Sequence, residues 1–209
     1  MSTGSGRFIV LEGIDGSGTT TQAARLVASL REAGHAVLGT HEPSDGPIGV
    51  VLRQALTRRL VGLSDRALAL LFAADRLDHL ASVVEPALAE GKVVVSDRYV
   101  LSSLAYQGMR MPLAWVEALN AAARPADLTL YLDVDARTAA ERRHGRGGTD
   151  ELFDADDVQR AVARAYGRVV RKHARAQRVM RVDGRATPDE VAREILSMVG
   201  TMLPRRGPK

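Results

Sequence analysis

Directly after the apolar run Phe8-Ile-Val-Leu11, the chain reads Gly13-Ile-Asp-Gly-Ser-Gly-Thr-Thr20, and a helical pattern follows. Gly13 and Gly18 stand five apart and a hydroxyl residue, Thr20, lies two places further on. That is the spacing of a loop that wraps its backbone N–H groups around a phosphate. Glycines let the chain turn with its amides inward, and the first turn of the next helix then faces the anion with the positive end of its dipole. Thr20 is placed to offer its hydroxyl to Mg²⁺. Loops of this kind carry a lysine just before that hydroxyl, and its ammonium neutralises the transferred phosphoryl group. Here the position holds Thr19, which can only hydrogen-bond. The plainer alternative is a strand-to-helix turn that simply needs glycine.

Three further groups could do chemistry. Asp97 closes the apolar run Val93-Val-Val-Ser-Asp97, where a carboxylate can organise Mg²⁺ directly or through water. The next residue, Arg98, carries a planar, permanently charged fork suited to phosphate. A strand-end ion pair is the structural alternative for these two. Phe72 and Arg76 lie four apart and share one helix face, ordinarily a core Phe beside a surface Arg. Arg142, Arg143 and Arg146 flank the glycine-rich stretch His144-Gly-Arg-Gly-Gly-Thr149. As isolated charges they would be solvated.

The elements that must position these groups alternate strand and helix along the whole chain. Strands are expected at Arg7–Glu12, Ala36–Thr40, Val93–Asp97, Leu128–Asp133 and Val179–Asp183, their apolar runs typical of buried parallel strands. Helices are expected from about Thr20 to Ala33, Ile48 to Arg59, Ser64 towards Ala89 with a break near Pro86, Ser102 to Tyr106, and Leu113 to Ala123. More follow from Asp135 towards Arg143, from Asp154 to about Ala176, and from Thr187, whose Thr-Pro-Asp-Glu190 start has the form of a capping box. The sum is an α/β fold, a three-layer α/β/α sandwich on a five-stranded parallel sheet.

Composition narrows the classes. The 209 residues are 45% hydrophobic and 26% charged, which suits one folded domain rather than disorder. Cys is absent, excluding disulfide scaffolds, thiolate metal sites and thiol catalysis. His35, His41, His79, His144 and His173 show no metal-ligand spacing. No apolar stretch approaches the roughly 20 residues that cross a bilayer. The chain starts without a signal-peptide pattern, so a cytoplasmic protein without membrane partners is expected. Net charge is +4, but Arg205, Arg206 and Lys209 in the tail supply three of those charges. No nucleic-acid partner is expected, and the Arg-rich stretch Arg160–Arg181 reads as a solvated face.

An ordered set of motifs resembles the thymidylate kinase family. They are Glu12-Gly-Ile-Asp-Gly-Ser-Gly18, Glu42-Pro43, Ile48-Gly49 through Arg53, Phe72-Ala-Ala-Asp-Arg76, Asp97-Arg-Tyr99, Ser102-Ser-Leu-Ala-Tyr-Gln107, and Arg124-Pro-Ala-Asp-Leu-Thr-Leu-Tyr-Leu-Asp133. The resemblance spans Phe8 to about Val199, and Thr19 departs from the family pattern. It implies transfer of the γ-phosphoryl group of ATP to dTMP, giving dTDP and ADP, with Mg²⁺ and a homodimeric assembly. One P-loop kinase domain over 1–203 is implied, with a lid at about 142–153 and a basic tail over 204–209.

The resemblance also distributes roles. Gly13, Ile14, Asp15, Gly16, Ser17, Gly18, Thr19, Thr20 and Thr21 would hold ATP, together with lid arginines Arg142 and Arg146 and, near the adenine, Arg185. Thr20 and Asp97 would serve the metal. Phe72 would stack on thymine and Arg76 would bond its carbonyl edge, favouring T over C. Arg53 and Arg98 would meet the acceptor phosphate, although Arg53 is equally a solvated helix charge. Tyr106 would pack on the sugar and disfavour a 2′-hydroxyl, while Asp15 would face the sugar hydroxyl. Glu42, Pro43, Ser102, Ser103 and Gln107 would complete the substrate site. Catalysis would rest on Asp15, Arg98, Arg142 and Arg146. Arg146, or Arg142 or Arg143, together with Arg98 would compensate for the lysine missing at Thr19. The competing readings are a nucleotide-binding protein with little or no kinase activity, and a kinase for another pyrimidine monophosphate such as dUMP.

Overall fold

The computed structural model describes residues 6–145 and 152–203. Five strands form one parallel sheet in the order β2-β3-β1-β4-β5. These are β1 (Arg7–Glu12), β2 (Val37–His41), β3 (Val93–Asp97), β4 (Leu128–Asp133) and β5 (Val179–Asp183). β1 is central, flanked by β3 and β4, with Leu11 level with Asp97 and Glu12 level with Tyr131. The chain leaves β1 to build on one side and later on the other. The carboxyl ends of β1 and β3 therefore meet at the switch point, where open α/β sheets form their crevice.

Both faces of the sheet are covered, which is why its strands are apolar along their length rather than alternating. Phe8 and Val10 point to one face, packing with Val94, Leu104, Val162 and Tyr166. Ile9 and Leu11 point to the other, against Leu26, Leu30, Leu130, Val182 and Ile195. On this second face lie α1 (Thr19–Glu32) and α9 (Pro188–Gly200). The first is covered by α4 (Glu85–Ala89), α5 (Val100–Tyr106) and α8 (Asp156–His173). A smaller cluster of Leu52, Ala55 and Leu68 joins α2 (Pro47–Leu56) to α3 (Asp65–His79). The remaining helices are α6 (Leu113–Leu119) and α7 (Ala136–His144).

Three expected helix starts have working caps. Ser64 accepts from the Ala67 amide, Asp135 from those of Arg137 and Thr138, and Thr187 and Glu190 form a reciprocal capping box. Helix ends differ more from expectation. The helix after Ser64 does continue to Ala89, and its expected irregularity near Pro86 takes the form of a π-helical stretch, Leu80–Val84, between α3 and α4. Pro86 lacks an N–H, and its ring crowds the carbonyl four residues back, so the helix widens one turn upstream. α2 ends at Leu56 rather than Arg59, with Arg58 at φ +57°. α6 ends at Leu119 rather than Ala123. There Asn120 caps the helix, donating from its side-chain amide to the Val116 carbonyl at 2.8 Å. The expected lid over 142–153 lies partly outside the described residues, and the tail over 204–209 lies wholly outside them.

Candidate active site

The loop after β1 closes because Gly16 and Gly18 adopt φ +88° and +98°. Gly16 is also forced by space, since a Cβ there would sit 2.3 Å from the Ala139 carbonyl oxygen. The turn is held by the Ser17 amide donating to the Ile14 carbonyl at 3.0 Å. α1 begins at Thr19 with no acidic residue in its first turn. Its first amides have no intrahelical acceptor, so they present partial positive charge to whatever occupies the loop. Ser17 Oγ is buried without a partner among the described residues, an unmet hydrogen-bonding group inside the same turn. Thr19 is buried, whereas Thr20 and Thr21 are exposed.

At the end of β3, Thr20 Oγ1 donates to Asp97 Oδ2 at 2.5 Å, while the buried Asp97 Oδ1 has no partner among the described residues. Among the described residues no group of three or more His, Asp or Glu side chains could hold a metal alone. Thr20 and Asp97 thus fit a hard cation that takes most of its ligands from phosphate and water, as Mg²⁺ does. A second hollow opens beside the loop, between Ser17, Gly18, Thr21 and Gln22 on one side and Gly184, Ala186, Pro188 and Val191 on the other. Arg142 lines it and donates to the Gly184 carbonyl at 2.8 Å. Arg185 is not among the lining residues. It turns outward in a two-pronged pair with Asp183, whose carboxyl it holds down at about 2.

Asp15 is where the loop and the next pocket meet. Its Oδ1 accepts from Arg98 Nη2 at 2.5 Å, and its Oδ2 accepts from the Tyr106 hydroxyl at 2.7 Å and from Gln159 Nε2. Arg98 has φ +72°, a left-handed conformation that a side chain adopts at a cost of roughly 1–2 kcal/mol. The surroundings enforce it. The Arg98 amide donates to the Leu11 carbonyl at 2.8 Å, its carbonyl accepts from Ser96 Oγ at 2.9 Å, and its Nη1 donates to the Gly13 carbonyl at 2.9 Å. Strain held in place at a strand end aims the guanidinium into the space between loop and pocket. Burial opposes that charge, but Tyr106, Asp15, Tyr166 and Asp97 around it raise the Arg98 pKa well above its ordinary value.

Glu12 anchors the same corner from below. Fully buried, it accepts from the amides of Tyr99 and Ser102, from the Ser102 hydroxyl at 2.6 Å and from the Tyr166 hydroxyl at 3.0 Å. Burial raises its pKa against the lowering effect of Ser102, Arg98 and Tyr166. Ser102 in turn accepts from Arg98 at 3.3 Å.

The pocket beyond Asp15 gathers Glu42, Pro43, Phe72, Arg76, Arg98, Ser102, Ser103, Tyr106 and Gln107, joined by Phe153. Arg76 is 2% exposed and its donors are engaged. Nε bonds Glu42 at 2.9 Å, Nη1 bonds Ser103 and Asn120, and Nη2 bonds the Tyr99 carbonyl, Ser103 and Glu42. Because Ser103 Oγ accepts from Arg76, its own proton is free to point elsewhere. Gln107 Oε1 is buried without a partner among the described residues. Arg53 is not among the lining residues and holds the loop beside the pocket, donating to the Pro43 and Ser44 carbonyls and to Asp45.

Arg143 lies against the phosphate loop, Nη1 donating to the Asp15 carbonyl at 2.9 Å. Arg146 falls outside the described residues. Sequence reasoning missed Gln159, Tyr166 and Asn120. The first two had a signal: they lie seven apart on a face of α8 otherwise made of Val162, Ala165, Val169 and Val170. A polar side chain on such a stripe is a buried group with a partner. Asn120 had none, since its role depends on where α6 ends.

A parallel sheet whose central strand runs into a glycine loop and a helix N-terminus, with a carboxylate from the adjacent strand on the helix's hydroxyl, defines a P-loop nucleotide-binding enzyme. A family profile described as "Thymidylate kinase" matches residues 11–195. A "Probable thymidylate kinase" from Pyrococcus abyssi is 40% identical over 200 residues, 93% of this chain and 96% of that protein. A "Thymidylate kinase" from Ruegeria pomeroyi is 38% identical over 214 residues, 97% and 99% of the two chains. One from Solidesulfovibrio magneticus is 38% identical over 208 residues, 94% and 100%. The chain belongs to the thymidylate kinase family.

Proposed function

We propose that this chain transfers the γ-phosphoryl group of ATP to dTMP, giving dTDP and ADP, with Mg²⁺ in attendance. The convergence at Asp15 carries the reading: Arg98 and Tyr106 meet this one carboxylate at 2.5 and 2.7 Å, on the border between the amide-lined loop and the pocket. A donor phosphate on the loop and an acceptor phosphate in the pocket would face each other across the Arg98 guanidinium. Nothing in the geometry or the relatives favours a nucleotide-binding protein without kinase activity.

In this reading an oxygen of the dTMP phosphate attacks the γ-phosphorus in line and the bond to the bridging oxygen of ADP breaks. Such a transfer needs positioning and charge neutralisation rather than a protein nucleophile. The amides of the first turn of α1 hold the donor phosphates, and Arg98 bridges the two reacting groups. Thr20 and Asp97 would hold Mg²⁺, which supplies charge neutralisation on the donor phosphates. On the acceptor side, the Ser103 hydroxyl proton and the unpartnered Gln107 Oε1 complement an imide edge, which offers a carbonyl acceptor and an N–H donor. Phe72 supplies a stacking surface. Arg76, its donors spent on the wall, acts through Ser103. The imide is shared by thymine and uracil and absent from cytosine.

The assembly we propose is a homodimer. Leu70, Leu77 and Val83 are exposed apolar residues along α3 and the π-helical stretch, and Val50 and Val51 are exposed on neighbouring α2. Exposed apolar side chains gathered on neighbouring helices are an interface character. Among the described residues no helix is long and apolar enough to cross a membrane, and we place the activity in the cytoplasm. A coupled ADP-release assay over dTMP, dUMP, dCMP and UMP, with and without Mg²⁺, tests the function. Release is expected with dTMP, less with dUMP and none with dCMP or UMP. Equal turnover of dCMP, or none with any acceptor, contradicts it.

A further inference from the structure

Thr19 leaves the phosphate loop without its customary ammonium, and among the described residues three arginines come to the loop or its rim. Arg142 lines the second hollow and donates to the Gly184 carbonyl there. Arg98 Nη2 is held on Asp15, at the border between loop and pocket. The third approaches from a different element. We propose that Arg143, presented from α7, supplies the donor-phosphate cation that Thr19 cannot. This rests on the reading of the loop as an ATP site.

The geometry is specific. Asp135 caps α7 and fixes where it starts. One turn in, Ala139 is fully buried and its carbonyl oxygen lies 2.3 Å from where a Cβ on Gly16 would stand, so only glycine lets α7 press this closely on the loop. Arg143 follows four residues later and projects from the same face. Its Cγ lies 3.0 Å from that same Cβ position, and its Nη1 donates to the Asp15 carbonyl at 2.9 Å. The side chain is 12% exposed, which is low for an arginine at the C-terminal end of a helix.

The guanidinium is held but not spent. Among the described residues it uses two of its five N–H groups, on the Asp15 carbonyl and, through Nη2, on Asp156 Oδ1 at 2.8 Å. Asp156 is 43% exposed at the first turn of α8, so this pair exchanges with water and phosphate at little cost. With Nη1 kept on the Asp15 carbonyl, Nη2 can leave Asp156 for a donor-phosphate oxygen. That makes a charge-assisted bond from a planar fork. A P-loop lysine reaches the phosphates from the first turn of α1; Arg143 would reach them from across the loop. Arg98 would then bridge the two reacting groups, and Arg143 would add a second cation on the donor side.

A rescue experiment tests this. Arg143→Met keeps the stem that packs on Gly16 and removes the charge. With ATP and dTMP it is expected to lower kcat about 100-fold, while KM for dTMP moves by no more than about threefold. Adding Thr19→Lys to Arg143→Met is expected to recover about tenfold or more, because the ammonium takes over the same charge. An Arg143→Met variant within about threefold of wild type in kcat overturns the proposal. So does a loss that Thr19→Lys leaves unrepaired, which would assign Arg143 to loop packing alone. If the wild type transfers nothing to dTMP, the functional reading fails separately. Arg143 is then judged by calorimetric titration with ATP and ADP: selective weakening of ATP in Arg143→Met supports the role, and equal affinities in the two proteins refute it.

Discussion

The two halves of the site are built by different means. The pocket we propose for the acceptor is walled by buried side chains that have found one another: Arg76 with Glu42, Ser103, Asn120 and the Tyr99 carbonyl, and Glu12 with Ser102 and Tyr166. The proposed donor cradle is built from backbone amides, three glycines and arginines that lean in from elsewhere. A pocket that must distinguish one base and one sugar needs fixed donors and acceptors, because unpaired polar groups penalise the wrong ligand. A cradle that reads only phosphate needs amides and charge, and charge can come from more than one direction. The difference explains how a lysine can be absent at Thr19 while the acceptor side keeps its full set of side chains.

Substitutions should separate the halves. Arg98 serves both, so Arg98→Ala is expected to have the largest effect, a loss in kcat of about 10³-fold or more. Arg98→Lys should recover only part, having charge without the fork; steady-state kinetics on both variants decides it. Next is Arg76→Ala, which strips the buried Glu42 of its cation and should cost about 3–5 kcal/mol of stability. Urea unfolding measures it, and a loss below about 1 kcal/mol would show the wall to be less interdependent than described.

A smaller, pH-dependent effect falls on Glu12. Burial raises its pKa above the ordinary 4.5, so the folded protein binds this proton more readily than the unfolded chain. Its contribution is therefore full below about 4.5 and is lost as pH rises through the raised folded value. Glu12→Gln should flatten the stability–pH curve across that window, as urea midpoints from pH 4 to 8 would reveal. The smallest effect belongs to Arg185→Ala. That side chain is exposed and paired with Asp183 outside the second hollow, so KM for ATP should change by no more than about twofold.

Much of this was legible in the residues. The five strands announced themselves because parallel strands buried on both faces are apolar throughout, and the caps at Ser64, Asp135 and Thr187 follow from side-chain chemistry alone. Asp15, Arg98, Phe72, Arg76 and Tyr106 were recognisable as a set, and the fold draws them to one pocket. What stayed hidden depends on tertiary placement. The π-helical stretch at Leu80–Val84 arises where Pro86 meets a packed helix. The end of α6 is set by an asparagine that also serves Arg76. The closeness of Arg143 to the loop depends on how α7 is pressed against Gly16, which no spacing along the chain records. Arg53 and Arg185 carry the right charge in the right neighbourhood, yet their guanidinium groups are turned to local carbonyls and to Asp183, respectively.

The central claim is that an amide cradle lacking its lysine still accepts ATP and hands a phosphoryl group to dTMP. Incubating the purified chain with γ-labelled ATP, dTMP and Mg²⁺ and separating the products tests it most directly. Label in the terminal phosphate of dTDP, in step with ADP formed, is the outcome expected. Label confined to ATP, or released only as inorganic phosphate, would contradict it.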